Sequence, residues 1–256
     1  KDIAQNKNIL SNKICNQNIL VIGGAGTIGS SYIKQILKYK PSKITVVDIN
    51  ENALTELTRD LRSSNLLDYN PEYITYPVNL LSDTFNKIFN SETWQVVANF
   101  SAHKHVRSEK DKISVEALIK NNVYGAIKLL NLCELNPPKY FFSVSTDKAA
   151  NPVNIMGASK SLMEKLILSK KNVFRVSTAR FANVAFSNGS LLDGFIYRLN
   201  KKQPLSCPSD IKRFFVTPEQ SGQICLLATF LGNTGYIFFP KLDFHKDQIY
   251  FKEIAL

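Results

Sequence analysis

The stretch STDKAANPVNIMGASK, residues 145–160, places a hydroxyl, a carboxylate and an amine side by side in Thr146, Asp147 and Lys148 and ends on a second amine, Lys160. These are the side chains that general acid–base chemistry uses. The triplet follows the apolar run KYFFSV, so on a strand it sits at the carboxyl edge where open sheets bind ligands. An ordinary turn with a surface Asp–Lys pair suits the same residues, and both readings stand at this point. Lys160 lies four residues after Met156, so the two share one face of a helix. In a Tyr-x-x-x-Lys arrangement this spacing lets the lysine hold a ribose and lower the tyrosine's pKa. Lys160 can still hold ribose, but the thioether of Met156 cannot take a proton, and a lone Met on a helix is usually core.

A second motif, GGAGTIG at 23–29, follows the apolar run NILVI and opens a helical segment. Gly23, Gly26 and Gly29 have the spacing that permits a tight turn, close approach of backbone to a pyrophosphate, and close packing of helix on strand. About 19 residues later VVDIN places Asp48 where a carboxylate accepts both ribose hydroxyls of an adenosine. A 2′-phosphate would be repelled there, so NAD is expected rather than NADP. Asp48 also suits the N-cap of the helix ENALTELTRDL.

These motifs need a scaffold, and short β-rich runs alternating with helical segments supply it. NILVI (18–22), KITVVDI (43–49), WQVVANFSA (94–102), KYFFSVS (139–145) and VFRVSTARF (173–181) are separated by segments of helical period. Strict alternation predicts an α/β fold, a doubly wound parallel Rossmann sheet with right-handed crossovers. Residues 1–16, rich in Asn and Lys, are expected to form a leading arm or helix, and 17–181 the dinucleotide-binding domain. After Phe181 the pattern breaks into NGSLLDG, KKQPLSCPSD and LGNTG, which predicts a smaller substrate-binding lobe over 182–256.

Composition narrows the class. At 256 residues the chain can bury one sizeable core. No apolar run approaches the roughly 20 residues that span a bilayer, and no signal-peptide pattern opens the chain. A soluble, cytoplasmic protein with no membrane segment in these residues is the expectation. The four cysteines are scattered without C-x-x-C spacing, which fits reduced thiols rather than zinc or disulfides. The net charge of +11 comes from dispersed lysines, so phosphate-bearing small molecules are expected before nucleic acid. His103 and His105 form an H-x-H pair, but His245 is the only other histidine and no carboxylate stands at ligand spacing. No metal is expected.

GGAGTIGS, SAHKHV, NNVYG, STDKAANPVNIMGASK, RFANVAFSNGS and FFVTPEQSG together resemble the extended short-chain dehydrogenase/reductases of the polysaccharide-biosynthesis type, over roughly residues 17 to 240. Within that superfamily the chain is most similar to the nucleotide-sugar 4,6-dehydratases acting on UDP-N-acetylglucosamine and related hexosamines. One subgroup of those enzymes itself carries Met in place of Tyr with TDK ahead of it. The resemblance implies NAD as cofactor, held by Gly23, Gly26, Thr27, Ile28, Gly29, Asp48, Asn50, Asn79, Leu80, Ser101, Ala102, Lys104, Asn122 and Lys160. It implies substrate contacts from His105, Asn183, Ser187 and Arg213, and a homo-oligomer. Asn79 stands where many relatives have Asp against adenine, and Arg107 where many have Pro. Relatives usually run beyond the point matching Leu256, so part of the substrate lobe is expected to lie outside this sequence.

The implied chemistry uses these side chains in order. Oxidation at C4 makes a ketone that acidifies the C5 proton; Lys148, neutral through burial and neighbouring positive charge, removes it, while Asp147 protonates the departing C6 hydroxyl. Thr146 contacts the C4 hydroxyl, and hydride returns to C6 to give a 4-keto-6-deoxy sugar. Phe214 and Phe215 beside Arg213 suit stacking on a base or packing of the second lobe. A nucleotide-sugar 4-epimerase is the rival enzyme, although it normally needs the missing tyrosine. A non-catalytic dinucleotide sensor is the other rival, although it has no use for a C5 base.

Overall fold

The computed structural model describes residues 2–105, 109–208, 210–243 and 247–255. Arg107 and His245 lie outside the described residues. The main sheet has seven strands in the order β3-β2-β1-β4-β5-β6-β9. These are β1 (Asn18–Ile22), β2 (Lys43–Asp48), β3 (Glu72–Pro77), β4 (Val96–Asn99), β5 (Tyr140–Val144), β6 (Val176–Ala179) and β9 (Tyr236–Phe238). All six pairings are parallel. The order reverses between β1 and β4, so crossovers leave this point in opposite directions and open a crevice at the carboxyl edge.

Both sheet faces are covered, which is why the strands are almost continuously apolar. Along β1, Ile19 and Val21 face a core built with α3 (Thr27–Leu37), α4 (Glu51–Ser63) and α10 (Pro218–Phe230). Leu20 and Ile22 face the opposite core, built with α5 (Asp83–Asn90), α7 (Gly125–Leu135) and α8 (Ile155–Ser169). The alternation follows from the two-residue period of a strand. At the amino edge, buried Lys43 is held by Glu72 and Glu92, tying β2, β3 and the approach to β4 together. Burial alone would lower that amine's pKa; the two carboxylates outweigh it and raise it above the ordinary value.

The leading residues form α1 (Asp2–Gln5) and α2 (Lys7–Ile14), with Leu10 and Ile14 in the core and Lys13 Nζ donating to Phe230 O at 2.6 Å. The small lobe is a three-stranded sheet in the order β10-β8-β7, made of β7 (Asn183–Val184), β8 (Lys212–Val216) and β10 (Gln248–Tyr250), with α9 (Leu191–Asn200) between β7 and β8. The expected boundary after Phe181 separates this lobe only in part. Residues 218–230 and 236–238 return to the main sheet as α10 and β9, because the apolar run QICLLATF finds its partner on α3 rather than in the lobe. Strand β3 and helix α5 add to the elements that periodicity predicts. EYITYP is a half-exposed edge strand and lacks the continuous apolar character of the inner ones.

Helix α10 can approach α3 closely because Gly222 has no side chain: a Cβ there would stand 2.6 Å from the Ser31 carbonyl. Gly222→Ala is expected to force the helices apart and cost about 1–3 kcal/mol, read as a lower urea midpoint with an unchanged slope.

Candidate active site

Two adjoining hollows open at the carboxyl edge of the sheet. The first, about 240 Å³, is lined by Gly23, Asp48, Ile49, Asn79, Leu80, Ser101 and His103 among others. Its floor is the glycine turn between β1 and α3. Gly23 has φ +71°, and a Cβ there would lie 2.5 Å from Ser101 N; a Cβ on Gly29 would lie 2.4 Å from Gly23 O. The turn is therefore pressed onto the end of β4 and the first turn of α3 onto the turn. Gly26 differs, since a Cβ there meets only Gly23 O at 3.6 Å, and the residue caps α3 without a side chain. Asp48 Oδ2 accepts from Ala25 N at 3.0 Å, which stitches β2 to the turn and holds the carboxylate at the rim. The N-cap of α4 is Asn50 and not Asp48: Asn50 Oδ1 accepts from Ala53 N, while Asp48 Oδ1 accepts from Asn50 N, both at 3.0 Å.

The second hollow, about 300 Å³, lies over β4, β5 and β6. Ile28, Ala102, Lys104, His105, Thr146, Lys148, Met156, Lys160, Asn183 and Ser187 all line it. Thr146–Lys148 forms the start of a 3-10 turn beyond β5, in which Thr146 Oγ1 donates to Asp147 Oδ1 at 2.9 Å. Lys148 Nζ stands 3.5 Å from the same carboxylate oxygen. The turn is set against α8 because Gly157 leaves room for the Lys148 carbonyl, which a Cβ would approach to 2.8 Å. Two side chains cap the start of α8: Asn154 Oδ1 accepts from Gly157 N and Glu109 Oε1 from Met156 N, both at 2.8 Å. Lys160 is buried and donates to Val144 O at 3.1 Å; burial pushes its pKa down to about 8, opposed by Glu164. Met156 is buried at the rear wall.

Several expected site residues take other places. Asp147 lies beside the second hollow without lining it, its side chain half-exposed. Lys148 is also half-exposed, against the expectation that burial would favour its neutral amine, because the 3-10 turn carries it to the mouth. Asn122 is buried behind the site in a π-helical turn (Lys120–Tyr124). It accepts from His103 N at 2.8 Å and donates to His103 O and Ser159 Oγ, each at 3.0 Å, so it ties the loop after β4 to α8. Thr27 Oγ1 accepts from Asn188 N at 3.0 Å, and Lys104 Nζ donates to Asn188 O at 2.8 Å, drawing the 187–190 loop onto the second hollow, which it helps to line.

Arg213 does not join the site. It is exposed on β8, bonded to Lys212 O and absent from both linings, because β8 runs outward from the cleft. Phe215 packs edge-on against Phe251 at 5.7 Å, the packing role rather than stacking on a base. Among the described residues no three His, Cys, Asp or Glu side chains gather as a metal site. Glu109 shapes the site from outside every motif, while Ser145, Phe181 and Gly189 line it from within motifs that assign them no role. Only Asn154 had a local signal, a cap residue just before the helical run.

The chain matches the family described as Polysaccharide biosynthesis protein over residues 19–247. It is 34% identical over 241 residues to an uncharacterized membrane protein of Methanocaldococcus jannaschii, covering 91% of this chain and 69% of that one. Among the described residues here no helix is long and apolar enough to cross a membrane. A UDP-N-acetylglucosamine 4,6-dehydratase (inverting) of Campylobacter jejuni is 30% identical over 238 residues, covering 88% of this chain and 67% of that one. UDP-glucose 4-epimerases match too, at 29% identity over 238 residues for that of Rickettsia bellii, covering 88% of this chain and 66% of that one. Other curated relatives are much longer, and the chain spans only 39% and 40% of two of them. The fold is that of Pen from Bacillus thuringiensis, with a TM-score of 0.82, 24% identity, and coverage of 94% of this chain and 73% of that one. The match over most of its length and the dinucleotide-type sheet edge make the chain a member of the polysaccharide biosynthesis protein family, an extended short-chain dehydrogenase/reductase of that type.

Proposed function

We propose that the protein binds NAD and dehydrates a UDP-N-acetylhexosamine at C4–C6 to a 4-keto-6-deoxy sugar. The observation that carries this reading is one cleft holding the Thr146–Lys148 turn and Lys160 with a thioether where an epimerase would need a phenol. The residues fit the cofactor. The space beside the Gly26 Cα is open, so a Cβ there would project outward from the turn; Gly26 is the N-cap of α3, whose first amides suit a pyrophosphate; and Asp48 lines the first hollow together with Asn79, Ser101 and Lys120. Lys160, an ammonium donor at the back of the second hollow, suits the hydroxyls of the second ribose. When bound, NAD supplies the hydride acceptor for C4 and returns that hydride to C6.

The chain's own groups would handle the protons. Asp147, as a carboxylate, receives the C4 hydroxyl proton and passes it to the departing C6 hydroxyl, linking both half-reactions through one residue. Thr146, bonded to Asp147, orients that carboxylate. Lys148 at the cleft mouth removes the C5 proton once it has lost its own. Met156 fills the rear wall and moves no proton. An epimerase reading draws support from the UDP-glucose 4-epimerases among the relatives, but leaves the Asp147–Lys148 pair without a task.

Gly26→Ala tests the cofactor reading. The Cβ fits the protein, so the urea midpoint should stay close to wild type, whereas NADH affinity should fall about 10-fold or more by fluorescence titration. Unchanged affinity would sink the pyrophosphate assignment.

For the reaction, substrate deuterated at C4 should give a 4-keto product labelled at C6, read by mass spectrometry. Label retained at C4 of an epimer would decide for the rival.

Met156→Leu nearly conserves volume and should keep much of the activity. Asp147→Asn should abolish both cofactor reduction and elimination. If that variant reduces NAD at the normal rate on adding substrate, another group accepts the C4 proton.

A further inference from the structure

Behind the cleft, one helical turn past Lys160, α8 carries a second buried charge. Glu164 is 2% exposed, and its carboxylate is gripped by Arg180, whose Nε donates to Oε1 at 2.8 Å and whose Nη2 reaches Oε2. Arg180 directly follows β6, its own N–H donates to Phe238 O at 2.7 Å, and the next three residues, Phe181, Ala182 and Asn183, form one wall of the cleft. Glu164 touches neither hollow. A buried carboxylate without catalytic contact is costly to retain for stability alone, since hydrophobic replacements of buried pairs are often neutral or stabilising. At four residues' spacing it lies on the same helix face as Lys160.

We propose that Glu164 and Arg180 are positioning residues for the oxidoreduction site: the carboxylate supplies a negative charge one helical turn from the buried Lys160 amine on the same face of α8, and the guanidinium ties that carboxylate to the segment after β6 that forms a wall of the cleft. The inference rests on the reading of Lys160 as the cofactor-holding ammonium. Among the described residues, the other charged or titratable groups that line the two hollows are Asp48, His103, Lys104, His105, Lys120 and Lys148, with Asp147 beside the second hollow and Glu109 at the start of α8. Of all these, Glu164 is the one that opposes the effect of burial on Lys160. Arg180 partly neutralises it, so removing either member of the pair should move Lys160 in opposite directions.

The test is the titration of Lys160 in the full chain, followed by NMR of lysine labelled with carbon-13 at Cε and assigned by the signal missing in Lys160→Met. Wild type should titrate near the value of about 8. Glu164→Gln should titrate about one pH unit lower and Arg180→Gln higher, as expected for a neighbouring charge lost. In NADH titrations, Glu164→Gln should weaken binding about fivefold at pH 8 and less than about twofold at pH 6, where Lys160 is protonated in either protein. Glu164→Asp, which keeps the charge, should restore the wild-type pH profile. The proposal is overturned if both Gln variants leave the midpoint in place or move it the same way, or if affinity falls equally at both pH values. Should Glu164→Gln fail to fold, the upward shift in Arg180→Gln decides alone. Wild-type protein that does not bind NADH would defeat the cofactor reading, while the Lys160 titration would still judge the charge coupling.

Discussion

The site depends on a backbone contact, the glycine turn after β1 pressed against the end of β4. A Cβ at Gly23 would lie 2.5 Å from Ser101 N, so the two chain segments touch without intervening side chains. That contact joins the hollow beside Asp48 to the hollow beside Lys160, because Ser101 lines the one and Ala102 the other. The reversal of strand order at β1 and β4 creates the crevice. The missing side chain lets the turn and the end of β4 meet at its base.

A second layer of support stands behind the reactive groups. Asn122 fixes the loop after β4, Glu109 and Asn154 fix the start of α8, and Gly157 lets the Thr146–Lys148 turn settle on that helix. Most of these bonds run to backbone atoms, so they define where segments lie while leaving the side chains at the cleft mouth to adapt. Asn122 occupies a π-helical turn, where the extra residue per turn carries its amide inward.

Electrostatics divides the cleft into a dry rear and a wet mouth. Lys160 is buried, so desolvation dominates its titration, and a carboxylate one turn away partly opposes that effect. Lys148 and Asp147 are half-exposed, and an ion pair so placed is worth little to stability because water screens it. Their closeness is better understood through the substrate they would share than through the fold.

Short-range chemistry in the sequence determined much of this molecule. Alternation located β1, β2, β4, β5 and β6, the glycine spacing located the turn, and four-residue spacing put Met156 and Lys160 on one buried helix face. These features are legible because they arise within a few residues, from strand and helix periods and from backbone freedom. Other features were decided only in three dimensions. Residues 218–230 abandoned the small lobe for α3, Arg213 was carried out of the cleft on β8, and Glu109 reached the amide of Met156 from 47 residues away. Each depends on which distant surface a segment buries, and that choice is made by packing and hydrogen-bond satisfaction across the whole chain, which no local pattern encodes.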